Sequence, residues 1–74
     1  MTEEEELFCE GFITALLGLA IFEPLRENED YRKGRAAGNK AKGTKAGIRK
    51  RRSMYNFAQE AFLYQELKEI ETNT

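Results

Sequence analysis

The stretch from Leu7 to Phe22 decides what this chain can become. It carries a single charge, Glu10, and nearly every other position is apolar. It reads as a helix from about Thr2 to Phe22. Thr2 is placed to cap the N-terminus, and Glu3, Glu4, Glu5 and Glu6 set negative charge beside the positive end of the helix dipole. Pro24 closes this helix or opens the next, because the residue before a proline avoids helical angles. On a helical wheel Glu10, Thr14 and Gly18 form one narrow, weakly polar strip. Leu7, Phe8, Cys9, Phe12, Ile13, Leu16, Leu17, Leu19, Ile21 and Phe22 occupy most of the remainder. An ordinary surface helix is apolar over a stripe of about 100°. This one must be surrounded, and 74 residues offer little material for that, which points to a partner or a second copy. Gly11, Ala15 and Gly18, spaced by four and three, make a groove of small residues that another helix can approach closely.

A single small domain of this length needs support. Ordering a residue costs on the order of 1.5 kcal/mol, and a small core barely offsets the sum. The usual staples are missing. Cys9 is the only cysteine and there is no histidine, which excludes an internal disulfide and leaves no ordinary zinc ligand set. No metal or other cofactor is expected. Cys9 reads as a small buried hydrophobe, since it has no histidine partner and the nearby acids would raise its pKa. Without a paired carboxylate in an apolar setting or a Walker-type phosphate loop, the chain is expected not to be an enzyme.

The middle of the chain has the opposite character. Ten of the twelve basic residues fall between Arg32 and Arg52, with no acid among them. They are Arg32, Lys33, Arg35, Lys40, Lys42, Lys45, Arg49, Lys50, Arg51 and Arg52. Even scatter would put about three in such a window. Residues 1–30 are strongly acidic, so the net charge of −1 conceals the block. Solvated helical faces normally mix Lys with Glu four residues apart. Here the acids are missing, which favours a polyanion partner. Arg suits bidentate phosphate contact and Lys acts as a point charge. Tyr31 and Tyr55 flank the block as stacking surfaces for unpaired bases, although Tyr55 fits better with the aromatic face around Phe62. The acidic run Glu3–Glu6 serves as helix-end charge, or folds over the basic block and competes with its ligand.

Four glycines punctuate this segment. Pro24 to about Gly38 reads as a polar helix, followed by a turn near Gly38–Gly43 and a new helix from about Thr44. The spacing of Gly34–Gly38 and Gly43–Gly47 matches GxxxG, but in a lysine-rich segment it marks loops or caps. The segment YRKGRAAG, with RRSMYNFAQEA after it, resembles the Arg-Gly-aromatic-x-Ala-Gly turn before an aromatic helix of ribosome modulation factor. The resemblance covers Tyr31 to Ala61 with gaps. The Cys-Pro-Tyr and tryptophans of that pattern are absent, and it assigns no site residue here.

The last segment, from Thr44 or Ile48 to Ile70, is helical with two apolar clusters. Met54, Phe57, Ala58, Ala61 and Phe62 share one face; Leu63, Leu67 and Ile70 lie roughly opposite. Such a helix packs between two neighbours or bends. The expected architecture is therefore all-α, with two or three helices forming a small hairpin or bundle completed by oligomerisation or a partner. Residues 1–23, 24–47 and 48–74 are its three parts. Phe8, Phe12, Leu16, Leu19, Phe57, Phe62 and Leu67 are the expected interface.

Three functional readings follow. The first is a non-enzymatic oligomeric protein that contacts nucleic-acid backbone through Arg32–Arg52. The second is a protein-interaction module that docks by its apolar helices, such as a small inhibitor or assembly subunit of the kind viruses and phages encode. The third is a membrane-surface protein with Leu7–Phe22 in lipid. Against the third, a helix of that length reaches about 24 Å and a bilayer core is about 30 Å. The acidic leader also differs from a signal peptide, so a cytoplasmic location is expected.

Overall fold

A computed structural model describes residues 2–44 and 53–73, with side chains through Lys68. Among the described residues there are three helices and no strand: α1 Glu3–Leu16, α2 Glu29–Lys42 and α3 Met54–Asn73, with a 3-10 turn at Glu23–Leu25. The all-α expectation holds. The Glu5 amide donates to Thr2 Oγ1 at 3.2 Å, which caps α1, and its first turn holds the four glutamates. These features place the start of α1 where the sequence suggested.

Its end differs. α1 stops at Leu16, six residues before Phe22, because Gly18 turns left-handed at φ 76°. The Gly18 amide then donates to the Ala15 carbonyl at 3.0 Å and the Leu19 amide to Thr14 at 2.9 Å. That is the paired closure of a Schellman cap, which glycine adopts without a Cβ penalty. The chain crosses back through residues 19–28, with Pro24 inside the 3-10 turn. Asn28 starts α2 by accepting from the Tyr31 amide at 2.9 Å, so this helix begins at Glu29 and not at Pro24. Glu29 and Asp30 in its first turn and Lys40 and Lys42 in its last complement the dipole.

α2 continues through Gly34 and Gly38 without a turn, and here the sequence reading of these glycines as loops or caps is corrected. Both are buried mid-helix. A Cβ on Gly34 would fall within 3.0 Å of the Phe8 carbonyl oxygen, and one on Gly38 would do the same at Phe12. On the facing helix, a Cβ on Gly11 would strike the Tyr31 carbonyl oxygen. The three glycines form a seam along which two helix backbones touch. The YRKGRAAG segment is thus helix, with no turn in it. Gly43 does cap α2, while Gly47 lies outside the described residues. Phe8 lies against Gly34, Phe12 and Ala15 against Gly38, and Gly18 beside Lys42, so α1 and α2 run in the same sense.

α3 runs back against α1 with its aromatic face. Phe57 meets Phe12 edge-on at 5.0 Å between ring centres, and Phe62 meets Phe8 at 5.4 Å. Such edge-to-face pairs add about 0.5–1.5 kcal/mol each beyond their burial. Phe8, Phe12 and Leu16, expected at an interface with another molecule, are 0–1% exposed inside the chain's own core. α2 covers one flank of α1 and α3 another, so the surrounding that α1 requires comes largely from within.

The seam makes a sharp prediction. Gly34→Ala should lower stability by about 1–3 kcal/mol through overpacking, despite alanine's better helix propensity. Gly43→Ala, whose Cβ would meet nothing within 4 Å, should change it little. Urea unfolding followed by circular dichroism compares the two, and equal midpoints would contradict the seam.

Candidate polyanion-binding site

Five of the ten expected cations lie on α2: Arg32, Lys33, Arg35, Lys40 and Lys42. Lys45, Arg49, Lys50, Arg51 and Arg52 lie outside the described residues. The side of α2 bearing Gly34 and Gly38 is pressed on α1, so the cations are distributed over its other sides.

One side forms a cavity of about 490 Å³ between α2 and the crossover. Arg32 and Arg35 enter it from α2, and Arg26 enters from the crossover. Tyr31, Asn39 and one acid, Glu27, complete the polar lining. Arg35 is half-buried and donates to Thr14 Oγ1 at 3.3 Å. That hydroxyl in turn donates to the Glu10 carbonyl at 2.9 Å, so α1 holds the guanidinium in place. Arg26 pairs with Glu23 at 3.5 Å, but both side chains are mostly exposed, and such a pair is worth little.

Tyr31 anchors the cavity wall. It is fully buried, and its phenol oxygen accepts from the Phe22 amide at 3.0 Å. Burial alone would push the phenol up. The Phe22 hydrogen bond, with Thr14 and Arg35 beside it, leaves it below its ordinary value. A buried ring offers no stacking face to a base. Tyr55 is exposed but lies over Cys9, Glu10 and Ile13 of α1, in a different pocket from the arginines. Neither tyrosine therefore extends the basic site as the sequence suggested.

The remaining described cations point elsewhere. Lys33 pairs with Glu29 at 3.7 Å, one turn earlier. Lys40 lines a separate groove between α2 and α3, and Lys42 lies near Gly18. Arg26 was missed because it precedes the basic run, and only the crossover carries it beside Arg32. Of the expected interface residues, Phe57 and Phe62 are half-buried against the core, whereas Leu19 and Leu67 are exposed by 53% and 60%. Glu3–Glu6 form the first turn of α1, where Glu5 accepts from Gln59 of α3 at 3.4 Å.

Among the described residues no group of three or more Cys, Asp or Glu side chains is arranged to hold a metal ion. No described helix is long and apolar enough to cross a membrane. No family model, curated protein or solved structure matches this chain.

Cys9 is 1% exposed, and its thiol is pushed from 9.0 up to about 11 by burial first and then by Glu5. A raised folded pKa means the folded chain keeps this proton longer than the unfolded one. The associated stability is complete below pH 9.0 and is lost as the pH climbs towards about 11. At pH 8 the folded protein should hold roughly a hundredth of the ordinary thiolate. Labelling by a disulfide reagent at that pH should be correspondingly slow and should accelerate in urea. Rapid native labelling would contradict this placement of Cys9.

Proposed function

We propose that this chain is a non-enzymatic helical binding protein that grips the phosphate backbone of nucleic acid along the arginine side of α2. The observation that carries the reading is the convergence of Arg26, Arg32 and Arg35, from two separate segments, on one cavity of about 490 Å³. Guanidinium groups match phosphate oxygens in pairs, and a concave cluster of them suits a backbone bend or a terminal phosphate. With Tyr31 buried, the cavity has phosphate donors but no exposed ring for a base. Recognition then follows charge and shape and ignores base identity. The other lysines and arginines of the block, Lys40, Lys42, Lys45 and Arg49–Arg52, add positive charge that draws a polyanion towards the chain.

A second reading is supported by the groove of about 610 Å³ between α2 and α3, whose floor includes Phe12, Ala37, Ala41 and Ala61. A helix docked there would make the chain a protein-interaction module, with the cations facing an acidic partner.

Salt dependence separates the two. If about five phosphates are neutralised, log affinity for duplex DNA should fall against log salt with a slope near −4 to −5. Replacing Arg26 and Arg32 together by Ala should reduce that slope by about two for every sequence alike. Both side chains are exposed, so helicity should survive. Fluorescence anisotropy at several salt concentrations makes the measurement. No binding to duplex DNA, single-stranded DNA or structured RNA at low salt would overturn the leading reading and favour the module.

A further inference from the structure

Where α1 ends, the chain leaves a run of apolar residues in water. Every residue from Leu17 to Phe22 is exposed, and Leu17, Leu19, Ile21 and Phe22 are 40–54% uncovered. A contiguous strip of large apolar side chains marks a contact surface. The strip is held from both sides: the Leu19 amide donates to the Thr14 carbonyl at 2.9 Å, and the Phe22 amide to the Tyr31 phenol at 3.0 Å. Cations follow it along α2. Lys42 lies beside Gly18 at one end, and Arg26, Arg32 and Arg35 share a cavity wall with Ile21 at the other. The acids of the crossover itself are Glu23, which already lies 3.5 Å from Arg26, and Glu27, which lines the cavity.

We infer that this strip seats the chain on an anionic phospholipid surface, its apolar side chains among the upper acyl carbons and its guanidiniums on the phosphates above them. Nucleic acid offers the same phosphates but no apolar layer beneath them to receive Leu17, Leu19, Ile21 and Phe22. A second copy laid on the same strip would set one arginine cluster against another, a like-charge juxtaposition that costs affinity. A bilayer presents phosphate and hydrocarbon in adjacent layers, which is the order that the strip and its flanking cations match. At that shallow depth the backbone groups of an irregular segment keep their water, as they could not in the hydrocarbon core. The helix before the strip stays out of lipid, because Phe8, Phe12 and Leu16 are committed to the chain's own core. The inference does not rest on nucleic-acid binding.

Vesicle flotation of the full chain at physiological salt tests this, with phosphatidylglycerol–phosphatidylcholine vesicles against phosphatidylcholine alone. The chain should float with the first and scarcely with the second. Leu19→Ser together with Phe22→Ser should weaken partition at least about tenfold. Circular dichroism should stay unchanged, since both side chains are half out of the fold. Arg32→Ala should weaken partition roughly fivefold, the effect of one basic residue near an anionic surface. The chain contains no tryptophan, so Phe22→Trp places a lone reporter in the strip. Its emission should shift to the blue on anionic vesicles and be quenched by brominated acyl chains, whereas Tyr64→Trp on α3 should report no change. No flotation with anionic vesicles would overturn the inference, whatever the outcome with DNA. So would partition that survives the double serine change, or equal responses from the two tryptophans. Duplex DNA affinity that falls as far as vesicle affinity in the double serine variant would assign the strip to nucleic acid instead. A lipid-free dimer abolished by the same change would assign it to a second copy.

Discussion

The backbone contact between α1 and α2 is the constraint on which the rest of the structure depends. Gly11, Gly34 and Gly38 remove the side chains that would hold the helices apart, and the Phe8, Phe12 and Tyr31 carbonyls occupy that space. Close approach has two effects. It brings many backbone atoms into dispersion contact over a short length, which suits a chain with little apolar material. It also turns Phe8 and Phe12 towards α3, where Phe62 and Phe57 close over them. A seam filled with ordinary side chains would separate the helices and change where those rings meet.

The same seam organises the chemistry of the surface. Because α1 and α2 run in the same sense, the chain must return along the length of a helix between them. Residues 19–28 do so, once Gly18 has turned the chain out of α1. This crossover carries Arg26 to the side of α2 where Arg32 and Arg35 emerge. The Phe22 amide bonds the Tyr31 phenol, fixing the crossover to α2 beside that cluster. A basic cavity thus arises from topology, with two of its arginines in the basic run and the third brought to them.

What was legible in the sequence was local. Thr2 and the four glutamates marked the start of α1, and the aromatic period of Met54–Phe62 marked the buried face of α3. Most of the misreadings concerned residues whose role is set by a distant segment; the one at Gly18 is local. Gly34 and Gly38 look like helix breakers until Phe8 and Phe12 are placed against them. Gly18 looks like part of a small-residue face, yet a left-handed cap ends the helix there. The apolar circumference of α1 suggested external partners for Phe8, Phe12 and Leu16, because the sequence does not reveal that α2 lays its glycines on the α1 backbone while Phe62 and Phe57 of α3 close over the Phe8 and Phe12 rings. At the site, the charge block identified Arg32 and Arg35, while Arg26 became visible only through the crossover.

The glycine seam also bears on why a chain this small leaves a second apolar face on α3. A glycine inside a helix costs about 1 kcal/mol relative to alanine, and the seam places three of them there. Whole domains are stable by only about 5–15 kcal/mol, so the cost is a large share of what a short chain has. Close packing returns part of it, and the two aromatic pairs return more. Anything that binds the folded state alone would add to this, since it shifts the folding equilibrium towards that state. Leu63, Tyr64 and Leu67 stay 58–60% exposed on α3, so the fold itself gains little from them.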